Sequence, residues 1–423
     1  MSPSARRRSL DVLRAVAVML VMARHASRHV PEAVPSPLAE VLRGLQWGGW
    51  IGVDLFFVLS GFLIAGLLLD EHARRGTIDV PRFLARRAFK IYPAFFAMIG
   101  VSVVMGATWF GPAIPLVDRD GPPVRQLWPE LVFMQSYFPG VWIHTWSLAV
   151  EEHFYILLPV VLWCVLRWSA PGGRGAGHEV GASPGLPRAL ALVGVLGLSA
   201  PLLWRSEGVV RWPVDASPSQ FGLYRHLLPS HLRMDALAMG VALACVWRAA
   251  RGRVLWVARR LGYLIAPAAA CAIVVVVSRP LSDAFLLTWG LSIIALGFAS
   301  LLMLTISADE LGWWRRVGSL GREGGPGFAA RVLCSVVKGM AWLGRYSYSI
   351  YLWHLPVRAW SVISARRLGV PDDGLAMYIV KVAAVSVGAV VVGVLAARVV
   401  EVPVLALRDR LVPSRARALR PAC

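Results

Sequence analysis

The sequence predicts an all-α fold: a polytopic membrane helix bundle of about ten transmembrane helices with both termini cytoplasmic. Three observations predict it. The 423 residues are 57% apolar and 16% charged, with a mean hydropathy of +0.61, whereas soluble domains average about 45–50% apolar and about 25% charged. Apolar runs recur along the whole chain at lengths near the roughly 20 residues that cross a bilayer core of about 30 Å. Basic residues crowd into alternate connections between those runs. The same composition excludes disordered, collagen-like and disulfide-scaffold classes.

In chain order the spans are 10–22, 51–69, 92–110, 150–168, 189–204, 234–247, 261–277, 284–306, 346–363 and 375–400. The first and sixth are short, so their ends extend into polar segments. The first keeps Arg14 and lacks a small-residue cleavage pattern before His25, unlike a removable signal peptide. Orientation follows from the bases. With the N-terminus cytoplasmic, 29 of the 44 fall in inside segments or at the inner ends of spans and 13 in outside segments or toward the outer ends of spans, while Arg14 and Lys381 are assigned to the spans themselves. An even number of spans returns the C-terminus to the same side.

The connections carry their own signals. Residues 111–145 lie outside and are long enough to fold over a cavity. Residues 171–187 read as a Gly/Pro-rich linker. Residues 307–338 read as a loop holding Trp313-Trp314-Arg315-Arg316, an interfacial anchor. Residues 1–403 form one membrane domain and 404–423 a basic cytoplasmic tail, with no room for an appended soluble domain. The absence of an internal repeat disfavours an inverted-repeat transporter. Five cysteines without motif spacing read as small buried hydrophobes, and no metal is expected. A net charge of +20 would suggest nucleic acid in a soluble protein. Here it is spread over membrane loops, so no nucleic-acid partner is expected. All bases but Lys90, Lys338 and Lys381 are Arg, amid abundant Ala, Gly and Val. That composition fits a GC-rich bacterial genome and hence a bacterial cytoplasmic (inner) membrane.

A charge near the bilayer centre costs at least about 2.5–3.5 kcal/mol, so each one is a functional candidate. Arg14 and His25 stand eleven residues apart, roughly three turns, and so share one face about 16 Å apart along the axis. Two readings are open. One is a snorkelling Arg and a loop His. The other is a polar stripe lining a cavity, its His able to take a proton from an alcohol near neutral pH. Asp54 needs a partner; Ser60 lies deeper, and Gly61 reads as close helix packing. Arg87 and Lys90 read either as inside-loop topology or as a cradle for the phosphates of a coenzyme A donor. Glu151 and Glu152 start an apolar span, where the helix dipole or a polar lining accounts for them. Arg233 and Asp235 are expected to pair with each other or with Glu151. Tyr348, Ser349 and His354 put hydroxyls and one imidazole on a span, and a lone His there packs more often than it catalyses.

Five segments, in order, carry a resemblance. They are Leu10-Asp11-Val12-Leu13-Arg14 with His25; Gly52-Val53-Asp54-Leu55-Phe56-Phe57-Val58-Leu59-Ser60-Gly61-Phe62; Trp146-Ser147-Leu148 with Glu151-Glu152; residues 233–240; and residues 344–354. Together they resemble the acyltransferase 3 family of bacterial integral-membrane O-acyltransferases, over residues 10–403. The resemblance implies transfer of an acyl group, most commonly acetyl, from acyl-CoA to a hydroxyl of a carbohydrate, glycolipid or macrolide-type secondary metabolite. Coenzyme A enters as the donor substrate, with no permanently bound cofactor. The resemblance makes His25 the general base, Arg14 its catalytic partner toward the donor, and Arg87 and Lys90 the phosphate ligands. Asp54, Ser60, Glu151, Glu152, Arg233, Asp235, Tyr348, Ser349 and His354 become the cavity lining. Three positions depart from the family pattern. Lys90 stands where a second Arg is usual, which loses bidentate geometry. His153 replaces a Gln, and Glu401-Val402-Pro403 replaces Glu-Arg-Pro or Glu-Lys-Pro. The alternative is a proton-coupled transporter or flippase of a glycolipid or small metabolite, since buried ion pairs and a His also serve proton relays.

Overall fold

The structure is a computed structural model. It describes residues 3–26, 36–105, 124–168, 185–211, 220–313, 328–369 and 375–413, and among these every element is helical. Residues 106–123, most of the 171–187 linker, Trp314-Arg315-Arg316 of the predicted anchor, and residues 414–423 of the predicted tail lie outside the described residues.

The helices follow the hydropathy pattern. In order they are α1 (Pro3–Ala26), α2 (Ser36–Gly48), α3 (Gly52–Arg75), α4 (Val80–Met105), α5 (Val124–Leu131), α6 (Trp146–Trp168), α7 (Gly185–Arg211) and α8 (Gln220–His226). Then come α9 (Ser230–Ala249), α10 (Arg251–Val277), α11 (Leu291–Glu310), α12 (Phe328–Arg345), α13 (Ser347–Arg367), α14 (Leu375–Ala396) and α15 (Val402–Leu411). Each of the ten predicted spans falls on one of α1, α3, α4, α6, α7, α9, α10, α11, α13 and α14. Six stretches among the described residues are long and apolar enough to cross a membrane, running through α3, α4, α6, α10, α11 and α14. The other four, α1, α7, α9 and α13, carry the Arg, Asp and His side chains that dilute hydropathy. Neighbouring helices bury Arg205, Arg233, Asp235 and His354, so lipid need not solvate them.

The core is a layer of crossings around α9, which packs against α3, α7, α11 and α6, while α1 is flanked by α3, α12 and α13. Small residues allow the closest approach. A Cβ on Gly61 would strike the Leu237 carbonyl, and one on Gly240 the Val58 carbonyl. The two glycines therefore face each other's helices across one crossing, as expected for Gly61. Gly61→Ala should lower stability by about 1–3 kcal/mol through overpacking. A thermal melt in detergent checks this, and an unchanged melting temperature would refute the tight crossing.

Two features depart from the sequence reading. Residues 328–338, read as loop, belong to α12, which lies on α1 and exposes Phe328, Val332, Leu333 and Val336. Arg331, Lys338 and Arg345 interrupt its hydropathy, and helical spacing still gathers the apolar side chains on one face. Beyond residue 403 the chain stays helical to Leu411, held against α4 by the Arg86–Asp409 ion pair at 3.0 Å. A π turn, Ala397–Glu401, joins α14 to α15, and a second, Leu286–Gly290, leads into α11. Such turns re-aim one residue within a helix; here Glu401 is turned into the protein and buried.

Candidate active site

His25 stands at the last turn of α1. A single 3-10 turn, Ile143–Thr145, brings His144 beside it, and α13 brings Tyr351 and His354, three residues apart on one face. The rings gather closely. Centroids are 5.4 Å apart for His25 and His354, 4.9 Å for His144 and His354, and 5.4 Å for Tyr351 and His354. His354 Nδ1 donates to the Tyr351 carbonyl at 2.5 Å, and His144 Nε2 to the Leu352 carbonyl at 3.1 Å. A carbonyl only accepts, so in the uncharged rings His354 Nε2 and His144 Nδ1 keep their lone pairs. Neither atom has a hydrogen-bond partner among the described residues. The Tyr351 hydroxyl donates to the His144 carbonyl at 2.8 Å and meets the Ser147 hydroxyl at 2.7 Å, fixing the turn against α13. Arg358, one turn beyond His354, adds positive charge within reach of His25 and His354.

The buried acids serve as braces. Arg233 pairs with Asp54 at 2.7 Å, each 1% exposed, under the rings of Trp146 and Phe57. Asp235 pairs with Arg205 at 2.9 Å and accepts from the Ser292 hydroxyl at 2.7 Å. This corrects the expectation that Arg233 and Asp235 pair with each other or with Glu151. Residues two apart on a helix point to opposite sides, so Arg233 meets α3 while Asp235 meets α7 and α11. Glu151 accepts from the Tyr155 hydroxyl at 2.6 Å and from Ser60 at 3.1 Å, and Glu152 from Tyr92 at 2.5 Å.

At the end where α1 begins, a cavity of about 690 Å³ opens. Arg14, Arg87, Arg248, Asp70, Ser60 and Tyr155 contribute to its walls. Asp11 holds Arg14 at 3.0 Å, and the Arg87 guanidinium lies 5.2 Å over the Tyr155 ring. Asp70 forms an ion pair with Arg248. Lys90 is placed elsewhere: it pairs with Glu401, which also accepts from Ser349 at 2.9 Å, while Tyr348 donates to the Ile91 carbonyl at 2.8 Å. Lys90, Tyr348 and Ser349 thus tie α4 to α13 and the π turn. Arg14, Arg87 and Ser60 share the cavity, and His25 and His354 share the opposite end.

Glu130 supports the histidine end from outside the spans. It is fully buried, receiving the Trp142 amide and the Thr145 hydroxyl, each at 3.4 Å. Burial pushes its carboxyl up from 4.5 to about 7, against the lowering effect of those hydrogen bonds. The folded form therefore keeps its proton where the unfolded chain has lost it. Stability should fall as pH rises from 4.5 to about 7. Melting temperatures measured across that range check this, and Glu130→Gln should flatten the slope.

Comparison with known proteins can now be set beside this geometry. A family model described as an acyltransferase domain, the acyltransferase 3 model, matches residues 7–398. The chain belongs to the acyltransferase 3 family. The match favours the enzyme over the transporter reading and covers both Arg14 and His25 on α1. Peptidoglycan O-acetyltransferase OatA of Listeria monocytogenes is 28% identical over 370 residues, 82% of this chain and 49% of that protein. O-acetyltransferase OatA of Staphylococcus aureus is 32% identical over 173 residues, 38% of this chain and 26% of that protein. The chain thus spans about half or less of these curated relatives. No solved structure matches.

Sequence reasoning missed four residues that the fold brings beside the candidate groups. His144 lies in a short turn without periodicity; its signal is an imidazole directly before the Trp146-Ser147-Leu148 segment. Arg205, Arg248 and Arg358 were counted as loop charges at span ends. For Arg248 and Arg205 the signal was an acid, Asp70 or Asp235, at matching depth on another span.

Proposed function

We propose that this acyltransferase 3 protein is a multi-pass membrane O-acetyltransferase that moves an acetyl group from acetyl-CoA to a sugar hydroxyl. One observation carries the reading. A single helix, α1, puts Arg14 in the wall of a cationic cavity at one end and His25 in a histidine cluster at the other. Arg14, Arg87 and Arg248 suit the donor's phosphates, because guanidinium binds phosphate oxygens bidentately. The donor's thin arm then follows α1 toward His25. His25 takes the proton of the acceptor hydroxyl as its oxygen attacks the thioester carbonyl; the carbon–sulfur bond breaks, and the thiolate leaves with that proton. Arg358, whose positive charge reaches His25 and His354, would stabilise the negative charge that develops on the attacked carbonyl. With the N-terminus cytoplasmic, the donor arrives from inside and the acceptor from the outer face of a bacterial inner membrane. The names of the relatives favour an envelope sugar over a macrolide-type acceptor.

Acetyl-CoA should raise the melting temperature of the detergent-purified protein. At a hundredfold excess over Kd the gain is about 2.7 kcal/mol. Arg87→Gln should reduce the shift at fixed acetyl-CoA. A transporter of glycolipid would show no shift with acetyl-CoA, and that result would sink the proposal.

A further inference from the structure

No group on α12 takes part in the transfer step described above. The helix meets α1 at the end where α1 begins: a Cβ on Gly344 would strike the Asp11 carbonyl, and Asp11 holds Arg14 in the cavity wall. Its 18 residues divide into three rows. Gly344 and, nearly one turn earlier, Ala341 are buried, which marks the row that meets α1. Phe328, Val332 and Val336, four residues apart, form an apolar row that is 77%, 44% and 55% exposed. Arg331, Lys338 and Arg345, seven residues apart and all exposed, form a third row about a third of a turn from the apolar one.

The basic row is uncompensated. α12 contains no acid, and among the described residues none of the three bases makes an ion pair. Arg345 reaches the Ala341 carbonyl of its own helix, at 3.5 Å. α12 is also absent from the stretches apolar enough to cross a membrane. Set across a bilayer, the row would carry Lys338 into the apolar core, where a charge is costly. Laid in the membrane plane, the helix brings all three bases to headgroup depth at once and turns the apolar row toward the acyl chains. Helical spacing places the exposed Trp342 between the two rows, its ring 5.4 Å from Tyr346. Tryptophan favours that boundary between headgroups and chains.

We propose that α12 lies in the membrane plane and docks anionic phospholipid, its basic row on the headgroups and its apolar row among the acyl chains. With the N-terminus cytoplasmic, the leaflet is the inner one. Charge complementarity selects the lipid: three unpaired bases at one depth suit an anionic headgroup, and the flanking apolar row suits the chains attached to it.

Native mass spectrometry of the full chain in detergent tests it, with phosphatidylglycerol and phosphatidylcholine of the same chain length as probes. Phosphatidylglycerol should bind in preference, by about fivefold for each base that reaches a headgroup. The triple variant Arg331→Gln, Lys338→Gln, Arg345→Gln should erase most of that preference and, without lipid, melt like the parent. Arg253→Gln, Arg259→Gln, Arg260→Gln removes the same charge from exposed positions of α10 and should keep the preference. Equal binding of the two lipids would overturn the proposal. Equal loss in both triple variants would reduce the preference to net charge and would overturn it too. Tighter binding of polyglutamate than of phosphatidylglycerol, lost in the α12 variant, would assign the row to an acidic protein instead. In phosphatidylglycerol nanodiscs, benzoylphenylalanine in place of Val336 should crosslink to an acyl chain, and crosslinks to protein alone would refute the in-plane placement. None of the three bases lines the cavity of Arg14 and Arg87, so the outcome does not depend on where the donor binds.

Discussion

His25→Ala should lower acetyl transfer by about 10²–10⁴-fold, the usual worth of a positioned general base. The cavity proposed for the donor opens at the other end of α1, about 16 Å away by helix rise. The variant should therefore keep the melting shift with acetyl-CoA and an unchanged KM for the donor. Loss confined to kcat is the signature, since the group acts only once the acceptor oxygen begins to attack. A steady-state assay on detergent-purified protein with a saccharide acceptor decides it. Full transfer by a normally folded variant would remove His25 from the mechanism. The outer position of the ring, 5.4 Å from His354, makes a purely structural role testable too. If packing alone mattered, His25→Phe would retain activity.

The second large effect concerns stability. Arg233→Met should cost about 3–5 kcal/mol, because it leaves the Asp54 carboxylate buried without its cation. Both residues are 1% exposed, so water cannot replace the lost partner. The double variant Arg233→Met, Asp54→Leu should recover most of that loss, since apolar pairs of similar volume commonly replace buried ion pairs at little cost. Thermal unfolding of the three proteins forms the cycle. If the double variant melts no higher than the single one, the pair does more than neutralise charge. The arginine also lies under Trp146 and Phe57, so Met keeps the packing that Ala would lose.

Much of the architecture was legible because lipid imposes a coarse rule. Over its described residues every predicted span lies on a helix, six of them long and apolar enough to cross a membrane, and Gly61 sits where two backbones touch. Legibility failed where one helix supplies two faces to different partners. The identity of Arg233 and Asp235 as buried charges could be read; their partners could not, since Asp54 and Arg205 reach them only through the crossing angles of α3 and α7. Arg87 and Lys90 show the same limit. Both read as phosphate ligands, yet one turn of helix separates a cavity wall from the Glu401 brace. His354 shows the reverse. A lone imidazole on an apolar span favoured packing, and the fold places it against His25 and His144.

The Asp54–Arg233 pair, the Gly61–Gly240 crossing and the Asp70–Arg248 pair all join the same two helices, α3 and α9. Two rods riveted at three points neither slide nor splay. Only the rivet beside Arg14 and Arg87 is exposed to water, and an anion arriving at Arg248 would compete with Asp70 for it. Loosening would thereby be confined to that end of the rail, while the two buried joints nearer the histidines hold the helices together.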